Sequence, residues 1–132
     1  MVDSGKTAEQ ARKDSLARIA NALRSGVVAA ITSYTDAIQR GDFARARAAY
    51  PNVTQEELTR WQSLREKYDL RFRVLQPKQV TLSDRDLVAD ADVVLRVQYI
   101  DRTTREPVTT NDLPRHATLT KQRQRWQLDV FR

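Results

Sequence analysis

The hydrophobic repeat of this chain changes period once, at about Asp69, and that change limits the folds open to it. Before it, Leu16, Ala20, Leu23, Val27, Ala30, Tyr34 and Ala37 recur at alternating spacings of four and three, the stripe of an amphipathic helix, which Ile19, Ile31 and Ile38 widen. After it, Leu70, Phe72 and Val74 alternate with Arg71 and Arg73, and Ala89, Ala91, Val93, Leu95, Val97 and Tyr99 alternate with Asp90, Asp92, Arg96 and Gln98. Such alternation sets one face of a strand in a core and the other in water. Helices followed by strands on short turns predict an α+β domain, with N-terminal helices packed on one face of an antiparallel sheet.

Punctuation refines the plan. Ser25 and Gly26 interrupt the first stripe weakly, so either one long helix runs into the domain or a looser leader precedes a core helix from about Val27 to Arg40. The second is preferred by a narrow margin, with residues 1–26 as a helical leader or linker and residues 27–132 as the domain. Gly41 suits a helix C-terminus, Asp42 can cap a short helix from Phe43, and Pro51 stops that helix after Tyr50. Thr54 and Glu57 form a capping box, with Val53 and Leu58 as the staple around it. The third helix begins there and buries Leu58, Trp61, Leu64 and Tyr68. Beyond the sheet's long strand, residues 101–114 read as a polar loop. Ala117 and Leu119 then face inward, and a hairpin at residues 122–125 returns through Trp126, Leu128 and Val130.

Several functions are excluded by what is missing. No cysteine is present, so disulfides, thiolate metal sites and cysteine nucleophiles fall away. The three glycines, Gly5, Gly26 and Gly41, cannot build a phosphate-cradling loop; Gly5-Lys6-Thr7 copies only the end of one and reads as a flexible start. No motif for a cofactor is found. The longest apolar run, residues 27–31, does not insert into a membrane, and Lys6, Glu9, Arg12 and Lys13 leave no apolar stretch for a signal peptide. The net charge of +6 invites nucleic acid, but the arginines are scattered among acids, which argues against it.

The remaining candidates each have a plain reading. His116 is the only histidine, which removes multi-histidine metal sites, and strand parity places it opposite Ala117 on the outer face. Asp90 and Asp92 share a face with Arg96 and read as solvated charge rather than as a carboxylate pair for acid and base work. Catalytic residues are therefore not assigned. Tyr34, Trp61, Phe72, Tyr99 and Trp126 lie on inner faces; they either fill the core or line an apolar pocket, with the Tyr34 or Tyr99 hydroxyl as a polar anchor.

Three features in order carry a resemblance: the helix ending Ala37-Ile38-Gln39-Arg40-Gly41-Asp42-Phe43, the short helix closing at Tyr50-Pro51 before Thr54-Gln55-Glu56-Glu57, and the Ala117-Thr118-Leu119 strand returning through Arg125-Trp126-Gln127-Leu128. Residues 27–132 resemble the nuclear transport factor 2-like superfamily, the cystatin-like α+β roll. The resemblance implies helices on a strongly curved sheet, a small hydrophobic ligand between them, and a homodimer through the sheet. Its members include ketosteroid isomerase, polyketide cyclase and epoxide hydrolase types. The pattern here is most similar to non-enzymatic sensing or interaction domains appended to bacterial membrane-anchored proteins such as serine/threonine kinases, which implies an extracytoplasmic setting. The inward strand positions depart from the enzymes in holding no Asp, Glu or His. The expectation is thus a non-catalytic ligand-binding, sensing or assembly domain. The alternative is a small-molecule enzyme using Asp90 or Asp92 as base, if a bulge shifts the parity. The leader, with its stripe from Leu16 to Tyr34, is a further candidate for pairing helices between chains.

Overall fold

In the computed structural model, residues 4–132 are described, with side chains from Ala8 onward. Three helices, α1 (Ser4–Arg40), α2 (Phe43–Ala49) and α3 (Gln55–Lys67), precede five strands, β1 (Tyr68–Leu75), β2 (Val80–Ser83), β3 (Val88–Asp101), β4 (Pro107–Gln122) and β5 (Arg125–Phe131). All pairings are antiparallel in the order β1-β3-β4-β5, and β2 shares the β1 side of β3. The sheet curls into a half-barrel around the helices. This is the α+β architecture that the change of period predicts.

Each helix stops for a reason visible in its residues. At the end of α1, Gly41 takes a φ of 76°, its N–H donates to the Ile38 carbonyl at 3.0 Å, and the Asp42 N–H donates to the Ala37 carbonyl at 2.9 Å. That pair of bonds is a Schellman ending. Asp42 then accepts from the Arg45 N–H at 3.1 Å and caps α2. Thr54 accepts from the Glu57 N–H at 3.1 Å to cap α3, and the staple residues Val53 and Leu58 are both buried. The capping box is only half made, because the Glu57 carboxyl forms no bond back to Thr54 and turns inward.

The core lies between α1 and the concave face of the sheet. Val27, Ile31, Tyr34, Ala37 and Ile38 from α1 meet Ala89, Ala91, Val93, Leu95 and Val97 from β3, with Ala117, Leu119 and Leu128 alongside. Full burial of each aliphatic of this size contributes about 1.5–3 kcal/mol. Small residues recur at one end of the sheet, Ala89 paired to Leu119 and Ala91 to Ala117. They leave room for the helix to approach.

Four sequence expectations need correction. First, α1 runs unbroken through Ser25 and Gly26. A Cβ at Gly26 would stand 2.8 Å from Cδ1 of Trp126, so this glycine makes room for an aromatic ring and does not end a helix. Second, Gly5-Lys6-Thr7 has helical backbone inside α1 rather than a loose one. Third, most of the expected loop at residues 101–114 is strand: β4 starts at Pro107 and pairs along β3 as far as Ile100. Its polar sequence reflects exposure, and Pro114 is tolerated because the last strand and Arg132 pair with residues 116–122 and not before, leaving the first half of β4 as an edge. Fourth, a bulge between Thr118 and Leu119 shifts the register of β5, so Phe131, 4% exposed, takes the inner position expected for Val130.

The Schellman ending sets a test. Replacing Gly41 by alanine forces a residue with a β-carbon into the left-handed region, at about 1–2 kcal/mol. The new Cβ would also displace the Arg65 guanidinium, 2.5 Å away, which can swing aside. Denaturant unfolding of Gly41→Ala should show that loss, and Gly41→Asn a smaller one because asparagine tolerates this region.

Candidate functional site

Polar groups gather in two places, one inside the concavity and one on the outer face of the sheet. Inside, α1 supplies Tyr34, one turn of α3 supplies Glu57 and Trp61, and β4 supplies Arg115, whose parity with Ala117 and Leu119 puts it on the inner face opposite Val93. Tyr34 is fully buried, packed edge-on to Tyr50 with ring centroids 5.3 Å apart and to Phe131 at 6.2 Å. Trp61 packs edge-on to Phe72 at 5.3 Å. Neither the Tyr34 hydroxyl nor the Trp61 indole N–H has a hydrogen-bond partner, although both are closed off from solvent. A buried donor left in this state costs about 1–3 kcal/mol.

Glu57 is the nearest acceptor. Burial pushes its carboxyl above the ordinary range, opposed by the charges of Arg115 and Arg60 and by the proximity of the Trp61 and Tyr34 donors. Neither donor closes a bond to it. Burial, then the negative charge of Glu57, pushes the Tyr34 phenol upward as well, so it stays a neutral donor. The half-buried Glu57 side chain thus stands between solvent and two unpaired donors. A group presenting an acceptor oxygen here would satisfy both, and a proton on Glu57 could be given or taken.

Outside, His116 on β4 bridges two residues of β3. Its Nδ1 lies 3.0 Å from Asp92 Oδ1 and its Nε2 3.1 Å from Asp90 Oδ1, while the Thr118 hydroxyl donates to Asp90 Oδ1 at 2.6 Å. The bond to Asp92 raises the imidazole pKa most; desolvation opposes it, and the bond to Asp90 and both carboxylate charges add to the rise. Held between two carboxylates, it acts as a double donor and not as a free base. Beside it a groove of about 530 Å³ runs where β1 ends and β2 begins, bounded by Leu75, Pro77, Lys78 and Val94. Among the described residues no group of three His, Asp or Glu is placed to hold a metal ion. Arg96 is drawn away from this cluster by Asp112, with contacts of 2.8 and 3.0 Å.

The five aromatics named from the sequence divide among three places. Tyr34 and Trp61 meet around Glu57, and Phe72 joins them through Trp61. Tyr99 packs edge-on to Tyr68 at 5.6 Å, near the far end of β3. Trp126 lies by Gly26 on the β4–β5 hairpin, with Lys121 over its ring at 5.8 Å. Glu57 was legible only as part of a helix cap, and Arg115, just past the expected loop, carried no signal of a site. The outer positions of β3 hold Asp90, Asp92, Val94, Arg96 and Gln98, a charged face, so a homodimer through the sheet rests on the family resemblance alone.

No protein-family model matches the chain, and no curated protein matches it. Among solved structures, a conserved protein from Planctomyces limnophilus superposes with a TM-score of 0.57 at 10% identity, over 84% of this chain and 94% of that one. A protein from Xanthomonas campestris pv. campestris with the provisional description of polyketide cyclase shares 18% identity over 80% of this chain and 89% of its own, at a TM-score of 0.41. The first likeness shows a shared fold; the second is too loose to carry an argument.

The outer cluster makes a prediction about charge. With its folded pKa raised, protonated His116 adds stability that is complete below the ordinary histidine value and is lost as pH rises through the folded pKa. An NMR titration of the single imidazole should give a midpoint above about 6.5. Asp92→Asn should lower it more than Asp90→Asn does.

Proposed function

We propose that the chain is a non-catalytic small-ligand-binding domain of the nuclear transport factor 2-like type, and that the ligand presents an acceptor oxygen to Tyr34 and Trp61. The observation behind this reading is the pair of buried, unpartnered donors beside a half-buried carboxyl. Folding alone gains nothing from leaving them so, and unmet polarity of this kind is a mark of ligand sites. Phe72 and Trp61 supply an apolar wall, and Arg115 a charge that suits an acidic or strongly polarised ligand. Entry is past Glu57 and Arg115, the partly exposed polar members of the group.

A second reading is favoured by Glu57 itself. The inner strand positions hold no acid, but α3 brings one in, with its pKa raised by burial. Such a carboxyl can exchange a proton with a bound carbon or oxygen, which is the enzyme alternative with a different base from Asp90 or Asp92. If wild-type protein alters a ligand recovered from the site and Glu57→Gln binds it unchanged, the domain is an enzyme.

Tyr34→Phe separates a binding role from a packing role. It deletes an unsatisfied hydroxyl, so the ligand-free protein should gain about 1 kcal/mol and melt several degrees higher. Native mass spectrometry of protein from its own host should find a retained small molecule on wild type and none on Tyr34→Phe. A destabilised Tyr34→Phe, with nothing retained on wild type, would overturn the reading. Glu57→Gln should likewise raise stability at neutral pH, with the gain shrinking in acid as the native carboxyl takes up its proton.

A further inference from the structure

A second surface lies away from both polar clusters, where α1 and α2 meet the β4–β5 hairpin. Two grooves run along it, one of about 650 Å³ and one of about 300 Å³, and they are continuous because Ser33, Ala48 and Ala49 line both. The floor is made of small side chains, chiefly Ala30, Ala37, Ala48 and Ala49. The rim is basic. Arg123 and Arg125 stand at the hairpin end and Arg40 and Arg45 at the other, against the single acid Asp36. All four arginines are exposed, and none makes an ion pair or a side-chain hydrogen bond among the described residues.

The hairpin end is held in an unusual backbone. Arg123 and Gln124 form its two-residue turn with φ of 49° and 67°, where a type I′ turn normally takes asparagine and glycine. The ring of Trp126 fixes the base of the hairpin, seated against Gly26 so closely that α1 has no room for a β-carbon. Gln127 adds a tie to α2, donating to the Ala48 carbonyl at 3.3 Å. The basic tip is therefore anchored to the helices at a set distance from Arg40 and Arg45.

We infer that this trough is a docking site for an extended acidic peptide segment. Ala30 and Arg40 are ten residues apart on one helix, about 15 Å, which matches roughly four to five residues of extended chain. An alanine floor accepts small side chains or backbone, and unpaired arginine forks at both ends take carboxylates in bidentate fashion. Single-stranded nucleic acid suits the trough less well. It needs aromatic platforms for its bases, and Trp126 is the lone aromatic here, with Lys121 already over its ring.

The test is fluorescence anisotropy with a labelled peptide of alternating glutamate and alanine, competed by oligo(dT), on the full chain. The peptide should bind, and Arg123→Glu with Arg125→Glu should weaken it by about tenfold or more, as should Arg45→Glu at the opposite end. Arg71→Glu with Arg73→Glu makes the same change of charge on exposed outer positions of β1 and should cost no more than about twofold. Equal losses in the two double variants would reduce the effect to net charge and overturn the site. Tighter binding of oligo(dT) than of peptide, or no peptide binding at low salt, would overturn it too.

Discussion

The structure depends on one contact surface, the apolar stripe of α1 laid against the concave face of β3. Neither element can form alone with that face wet, since an isolated helix gains little in water and a strand without partners gains nothing. β3 is paired on both sides, by β1 and β2 along one edge and β4 along the other, so whatever fixes its inner face fixes the whole sheet. Small residues at Ala89, Ala91 and Ala117 let the helix sink at one end, while Leu95, Val97 and the aromatics hold it off at the other. The sheet curls around the helices, and Tyr34, Trp61 and Glu57 collect on the inner side of that curl.

That surface was readable because it is written in period. Alternation identified the inner faces of β1 and β3 residue by residue, and spacing identified the buried face of α1. What the pattern could not report is where chain segments touch that are far apart in sequence. Gly26 has the local meaning of a helix breaker, and only its contact with Trp126, a hundred residues on, changes that meaning. The first half of β4 has the composition of a loop because it pairs on one edge and is exposed on the other. Phe131 takes the place of Val130 through a bulge, which inserts one residue and resets the parity beyond it.

The candidate site was legible in part for the same reason. Tyr34 and Trp61 fell out of the burial pattern, but Glu57 carries two meanings in sequence and the stronger was the cap. Thr54 performs the capping by itself, which frees the carboxyl for the interior. Arg115 lay within one residue of the edge assigned to a loop. Tyr99 and Trp126 have the same inward parity as the site's aromatics and sit elsewhere, because parity tells which face a residue occupies and says nothing of position along it.

The two polar clusters differ in how their groups are paired. On the outer face, His116 has both nitrogens engaged by carboxylates and Asp90 is also bonded by Thr118, so the groups there answer one another and are largely in solvent. In the interior, donors and acceptor are close, desolvated and unjoined. The outer network costs the fold little, whereas an unpaired buried donor costs about 1–3 kcal/mol, and phenylalanine at position 34 would keep the packing and remove that cost. The Tyr34 hydroxyl and the Trp61 N–H thus lack an acceptor oxygen among the described side chains. A ligand oxygen is the simplest group that supplies it, and the same logic turns attention away from the histidine, the residue that chemistry alone would have picked first.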